Sequence, residues 1–293
     1  MSIGYACLTV GVPNTGLSKC ILRNANERKL NAITLSNLTA LNAMIDYNIE
    51  NEIMLYRISS DIIPFGSHPI NQLFWWEDYK DILLSIGQKI SNAGMRVSMH
   101  PGQYTVLNSQ NPKVVEKAIE DLIYHEKFLS SLGMDAKCKM VLHIGGVYGD
   151  KVKAMKSFIQ NYLLLPVEIR RRLIIENDDK NFTIQEVLSI SLEIEAPVVF
   201  DNLHHELNPP KESQSEYEWI KKCESTWKSQ DGKQKIHYSQ QKEGGARGAH
   251  SDTISLPPFL EFHRNLPNQN IDIMLEVKDK NQSAIKCIKA VGL

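Results

Sequence analysis

The chain's 293 residues are many for an ordinary domain but usual for one α/β barrel. Hydrophobic residues make up 42% and charged residues 23%, a balance that supports a large core and excludes a disordered chain. With 33 basic against 34 acidic residues the formal net charge is −1, which excludes a protein that coats nucleic acid through many phosphate contacts but allows a local basic rim.

Short β-branched runs predict eight strands, at residues 3–9, 53–58, 95–100, 140–144, 173–176, 198–201, 235–238 and 271–277. Segments of helical period lie between them. The first, around residues 30–47, follows a loop rich in Gly, Asn and Pro; the next, 78–93, is closed by Gly94. Asn111-Pro112 opens another, whose stripe of Val115, Ala118, Ile119, Leu122, Ile123, Leu129 and Leu132 ends at Gly133. Residues 183–195 and 281–290 fit the same role. Residues 209–231 are polar around Tyr217, Trp219 and Trp227 and read as a helix with loops, while 239–256 read as a long loop after the seventh strand. Eight strands alternating with helices imply a parallel sheet, and at this length a closed (β/α)8 TIM barrel with its active site at the C-terminal mouth. With no linker or repeat, residues 1–293 are expected to form a single domain.

Six of the eight strands end in a side chain able to bind metal: His100, His143, Glu176, Asp201, His237 and Glu276. Singly, such a residue is more often a hydrogen-bonded polar group than a ligand. Six gathered at one mouth without a cation would suffer repulsion and desolvation. Divalent ions relieve that cost, and His, Asp and Glu suit zinc or manganese. His204, three residues beyond Asp201, and His250, in the loop after strand seven, extend the set; the choice between His204 and His205 stays open. His125, within a helix, and His263, near another, read as structural. Lys235 shares the inward face of its strand with His237. It is either a lysine holding carboxylates by charge or a carbamylated ligand. Eight ligands exceed the need of one ion, and two or more ions a few ångströms apart fit phosphodiester hydrolysis. No nucleophile elbow, P-loop or dinucleotide fingerprint competes.

Five scattered cysteines (Cys7, Cys20, Cys138, Cys223 and Cys287) without a C-x-x-C pair imply a reducing, cytoplasmic setting. No signal-like segment opens the chain, and no run approaches the roughly 18 apolar residues of a span, so no membrane partner is expected.

The ordered motifs Gly4-Tyr5-Ala6-Cys7, Arg57-Ile58-Ser59-Ser60-Asp61, Ser98-Met99-His100-Pro101-Gly102-Gln103-Tyr104, Leu142-His143-Ile144-Gly145-Gly146, Ile175-Glu176-Asn177-Asp178, Asp201-Asn202-Leu203-His204-His205 and Leu275-Glu276-Val277-Lys278 span the chain. Together they resemble the UV-damage endonucleases, a family similar in fold and trinuclear metal site to endonuclease IV. The resemblance implies damaged duplex DNA as substrate. It also implies cleavage immediately 5′ to cyclobutane pyrimidine dimers, 6-4 photoproducts and abasic sites, leaving a 3′-hydroxyl and a 5′-phosphate. Two to three divalent ions are implied, manganese by preference, with zinc, magnesium or cobalt as alternatives, in a monomer needing no protein partner.

Carried over residue by residue, the resemblance gives one ion to His100, His143 and Glu176 and a second to Glu176, Asp201, His237 and Glu276. His204 and His250 go to a third. Endonuclease IV has an aspartate where Gly248 stands, a deficit left to Lys235, Asp252 or solvent. Glu176, Lys235 and Tyr5 form the implied catalytic group. Gln103 and Tyr104 match a pair inserted into the duplex at the lesion, with Tyr5 and His68 also expected against DNA. Arg57, Lys233, Lys242, Arg247, Lys278 and Lys280 are the expected basic rim. A divalent-metal sugar isomerase or epimerase and a non-catalytic lesion-binding protein are the competing readings; the Pro101–Tyr104 loop favours the nuclease.

Overall fold

In the computed structural model, which describes residues 1–293, eight parallel strands close in sequence order into a barrel. They are β1 (Ile3–Cys7), β2 (Leu55–Ile58), β3 (Arg96–Met99), β4 (Met140–His143), β5 (Leu173–Glu176), β6 (Val198–Asp201), β7 (Lys235–Tyr238) and β8 (Asp272–Leu275). Pairing of β1 with both β2 and β8, Gly4 opposite Leu55 and Met274, seals the cylinder.

Helices fill every connection. After β1 comes α1 (Glu27–Glu50), after β2 α2 (Trp75–Asp78) and α3 (Lys80–Asn92), and after β3 α4 (Pro112–Ser131). Then follow α5 (Lys151–Leu163), α6 (Val167–Arg172), α7 (Ile184–Ile194), α8 (Asn202–Leu207), α9 (Glu216–Glu224), α10 (Leu256–Arg264) and α11 (Asn281–Val291). The starts follow local chemistry. Asn111 caps α4 with Pro112 in its first turn, and Thr183 with Glu186 forms a capping box on α7.

The strands alternate between two environments. Tyr5, Tyr56, Val97, Leu142, Ile175, Phe200, Ile236 and Leu275 face outward into one large core shared with the helices. Inside the barrel, two small apolar groups remain, Ala6 with Leu55 and Met274, and Val141 with Ile174 and Val199. At the floor, Arg96 bonds the carbonyls of Lys137, Asp231 and Lys233, pairs with Asp272 at 3.2 Å and lies over Trp227.

Five strands are shorter than their apolar runs suggest, β4 by the single residue Ile144. β1 stops at Cys7, where φ is +72° and Leu8 N–H bonds back to Ala6, instead of running to Thr9. β2, β3 and β8 are likewise trimmed, leaving His100 and Glu276 just beyond their strands. No helix is expected from the sequence at α5, although Asp150 caps it by accepting from Lys153 N–H.

Candidate active site

Strand alternation turns the ends of β4 to β7 inward, so His143, Glu176, Asp201 and His237 meet over the apolar barrel filling, joined by His100 and Glu276. Two groups have ligand atoms within 4.8 Å of one another: His100, His143 and Glu176, and Glu176, Asp201, His237 and Glu276. Glu176 belongs to both. Its Oε2 is 3.2 Å from His100 Nε2 and 3.6 Å from His143 Nε2, and its Oε1 accepts from His237 Nδ1 at 2.6 Å.

The polar atoms here lack enough protein partners. Asp201 is fully buried, yet its Oδ2 accepts no hydrogen bond, and the buried Nδ1 of His143 has none either. Burial pushes the Asp201 carboxyl up to about 7 against the pull of His204, with Glu176 and Glu276 adding to the rise. Burial also drives His143 and His237 down to about 4, outweighing Glu176, so both rings are neutral at pH 7. Neutral imidazoles and a carboxylate oxygen with no protein partner are donors a divalent cation requires, so the residues fit a metal centre.

His204 stands beside this pair of groups. Its Nδ1 donates to the Asn177 carbonyl at 3.0 Å and lies 3.6 Å from Asp201 Oδ1. Burial disfavours its charged form, but Asp201, Glu176 and Glu276 prevail and raise it to about 9. His205 packs on Phe200 at 5.0 Å, so His204 is the member of the pair that faces the cluster. His250 is half-buried on a hairpin-like bridge to Gln241 and close enough to feel Glu276 and His204. Neither His204 nor His250 belongs to the two tight groups.

Several expected roles move. Tyr5 is fully buried on the outer face of β1, where its hydroxyl bonds Thr9 at 2.6 Å and Asn48 at 2.8 Å. It therefore faces α1, not the mouth, because Gly4 and Ala6 take the inward positions. Lys235 lies inside the barrel below His237 and makes no ion pair with the cluster; burial, then Arg96 and Arg57, depress its pKa strongly. The charge it was expected to supply comes from Arg57. Buried rather than at the rim, Arg57 pairs with Glu276 at 2.7 Å and donates to His237 Nε2 at 2.8 Å. That guanidinium overcomes burial and holds Glu276 well below the usual carboxylate range. Lys233 precedes β7 and so sits at the floor, opposite the mouth.

Asp252 is engaged by Lys242 at 2.8 Å and Lys278 at 3.0 Å. Beside Gly248 stands another carboxylate, Asp179, whose Oδ2 would be 3.7 Å from an added Cβ. Past His100, the turn closed by Thr105 N–H on the Gly102 carbonyl leaves Gln103 and Tyr104 exposed, Tyr104 by 66%. Tyr104 shares a cavity of about 350 Å³ with the exposed His68, whose Nδ1 accepts from Ile70 N–H. His68 stands apart from the two ligand groups.

The family described as UV-endonuclease UvdE matches residues 2–292. The chain belongs to that family. A UV DNA damage endonuclease of Clostridium perfringens (strain 13 / Type A) is 45% identical over 292 residues, spanning 99% of this chain and 71% of the relative. The crystal structure of SacUVDE superposes with a TM-score of 0.94 at 37% identity, covering 100% of this chain and 98% of that one. Endonuclease IV from Thermus thermophilus shares the fold, with a TM-score of 0.59 at 11% identity over 98% of each chain. As a UvdE-family member the protein is an endonuclease acting on UV-damaged DNA, which displaces the sugar-isomerase and purely binding readings. No helix is long and apolar enough to cross a membrane.

Proposed function

We propose that the protein nicks duplex DNA immediately 5′ to cyclobutane dimers, 6-4 photoproducts and abasic sites, leaving a 3′-hydroxyl and a 5′-phosphate. The observation that carries this reading is the juxtaposition of two ligand groups sharing Glu176 with an exposed Gln103–Tyr104 tip three and four residues beyond His100. His100, His143 and Glu176 would hold one ion, Glu176, Asp201, His237 and Glu276 a second, and His204 with His250 a third. Manganese is the ion the resemblance to the family implies, and the mixed imidazole and carboxylate set accepts it as it accepts zinc. Bound there, divalent ions supply Lewis acidity and positive charge against the phosphate.

The remaining work belongs to the chain. Gln103 and Tyr104 would enter the duplex, an amide and a ring filling the gap left by an extruded nucleotide. A photoproduct already weakens pairing and stacking, so extrusion costs least at damage. Arg57 orients Glu276 and His237 from beneath. Burial, with Arg96 and Arg57 nearby, shifts Lys235 towards its neutral amine, the form a carbamate would require. Lys242, Lys278 and Lys280 remain on the loops after β7 and β8 as rim charges for the backbone phosphates. A monomer at work in the cytoplasm agrees with five free thiols and a site drawn from one chain.

The test is a labelled duplex carrying one thymine dimer, incubated with the protein and Mn2+ and resolved to the nucleotide. A nick one bond 5′ to the dimer is expected. Equal cutting of the undamaged duplex, or a nick 3′ to the dimer, overturns the reading.

A further inference from the structure

The buried face of α4 carries Asp121 and His125 among Ala118, Leu122, Phe128 and Leu129. Asp121 is 2% exposed and His125 fully buried, and no lysine or arginine pairs with the carboxylate. Buried groups of this kind are costly unless bonded, and here the Asp121 carboxylate and His125 Nε2 both meet loops at the mouth. Asp121 Oδ2 accepts from Thr105 Oγ1 at 2.7 Å and Oδ1 from Ser67 Oγ at 2.8 Å. His125 Nδ1–H donates to the Asp121 carbonyl at 2.7 Å. Its Nε2 lies 2.9 Å from Ser60 Oγ, whose hydroxyl is 2.6 Å from the carbonyl of His100. Tyr124 adds a bond to the Ser60 carbonyl at 2.9 Å.

These bonds tie together the residue following Tyr104, the β2 loop that holds His68, and the backbone of His100. We propose that Asp121 and His125 are positioning residues that fasten the insertion loop to the strand end bearing His100. Gln103 and Tyr104 thereby meet the duplex in a fixed place relative to the scissile phosphate. A loop already ordered on folding binds without a further ordering cost. The proposal rests on the insertion role of Gln103 and Tyr104.

The decisive variants are Thr105→Val, which keeps the shape and removes the hydroxyl, and Thr105→Ser, which keeps the hydroxyl. Each full-length protein is loaded with Mn2+ and assayed on the thymine-dimer duplex, with bound manganese and thermal melting recorded. For Thr105→Val, KM should rise roughly tenfold while kcat stays within about twofold and bound manganese is unchanged. Thr105→Ser should recover the original KM. Asp121→Asn should move KM in the same direction; if it fails to fold, the Thr105 pair still decides.

An unchanged KM in Thr105→Val overturns the proposal, and so does a loss of manganese with the fold intact, which would make the network a strut for the metal centre. A Gln103→Ala/Tyr104→Ala double variant runs alongside. If it discriminates damaged DNA as well as the unaltered protein, the insertion reading itself is lost. If it loses discrimination while Thr105→Val keeps its KM, only the fastening role falls.

Discussion

At the scale of single residues, the site is governed by where charge can be tolerated. Glu176 is 1% exposed and lies within 3.8 Å of four imidazoles, and burial would drive it to protonate were His237 and His143 not beside it. A carboxylate shared by two ligand groups is the residue whose loss should matter most. Glu176→Ala should lower bound metal and cut nicking of a dimer duplex by about a thousandfold, corresponding to several kcal/mol of transition-state stabilisation. Metal analysis with a gel assay checks this, and undiminished nicking by a metal-free variant would be incompatible with the mechanism. Gln103→Ala with Tyr104→Ala should leave metal content intact and reduce preference for damaged over undamaged DNA by roughly tenfold or more, since base stacking on an aromatic contributes about 1–3 kcal/mol. Binding competition between irradiated and unirradiated duplexes measures it.

At the scale of elements, close approach sets the tolerances. α3 crosses the C-terminal end of α4 at Gly87, where a Cβ would lie 1.7 Å from the carbonyl oxygen of Leu132. Gly87→Ala should therefore destabilise the protein by about 1–3 kcal/mol, the usual cost of overpacking, even though alanine is the better helix former. A urea titration gives the value, and an unshifted midpoint would mean the helices separate without cost. α4 also shows what periodicity misses. Its apolar spacing identifies a helix, but Ile123 is 43% exposed while Asp121 and His125 are buried. Hydrophobic pattern cannot anticipate that a helix will turn a carboxylate inward to hold loops from two other connections.

At the scale of the whole molecule, the barrel separates a stabilising floor from a reactive mouth. Arg96 closes the floor through three carbonyls and the buried Asp272. Arg96→Met should cost about 3 kcal/mol or more by stranding that carboxylate, with the mouth's metal content unaltered. Chemical denaturation beside metal analysis separates the two effects. Removing metal should act the other way round: chelation leaves Glu176, Asp201 and Glu276 crowded without a cation, so the melting temperature should fall and recover on adding Mn2+. A melting temperature indifferent to chelator would argue that Arg57 alone balances the mouth.

The alternation of strand and helix, and the strand ends carrying His and carboxylate, were legible in the chain because period and position along a strand are local properties. β5, β6 and β7 begin and end where their apolar runs do. The ordered motifs are likewise a property of the chain itself, and they carry the resemblance to the family. What only the tertiary structure decided is which way each side chain faces and what it meets. Period 2 says that Tyr5 and Ala6 point apart, not which of them enters the barrel; closure against β8 settles that and sends Tyr5 to α1. The choice of Arg57 over Lys235 as the cation under the cluster depends on depth within the barrel, which register determines. His204 over His205 depends on the turn of α8. Facing, depth and partnership arise between segments distant in sequence, and so no local pattern encodes them.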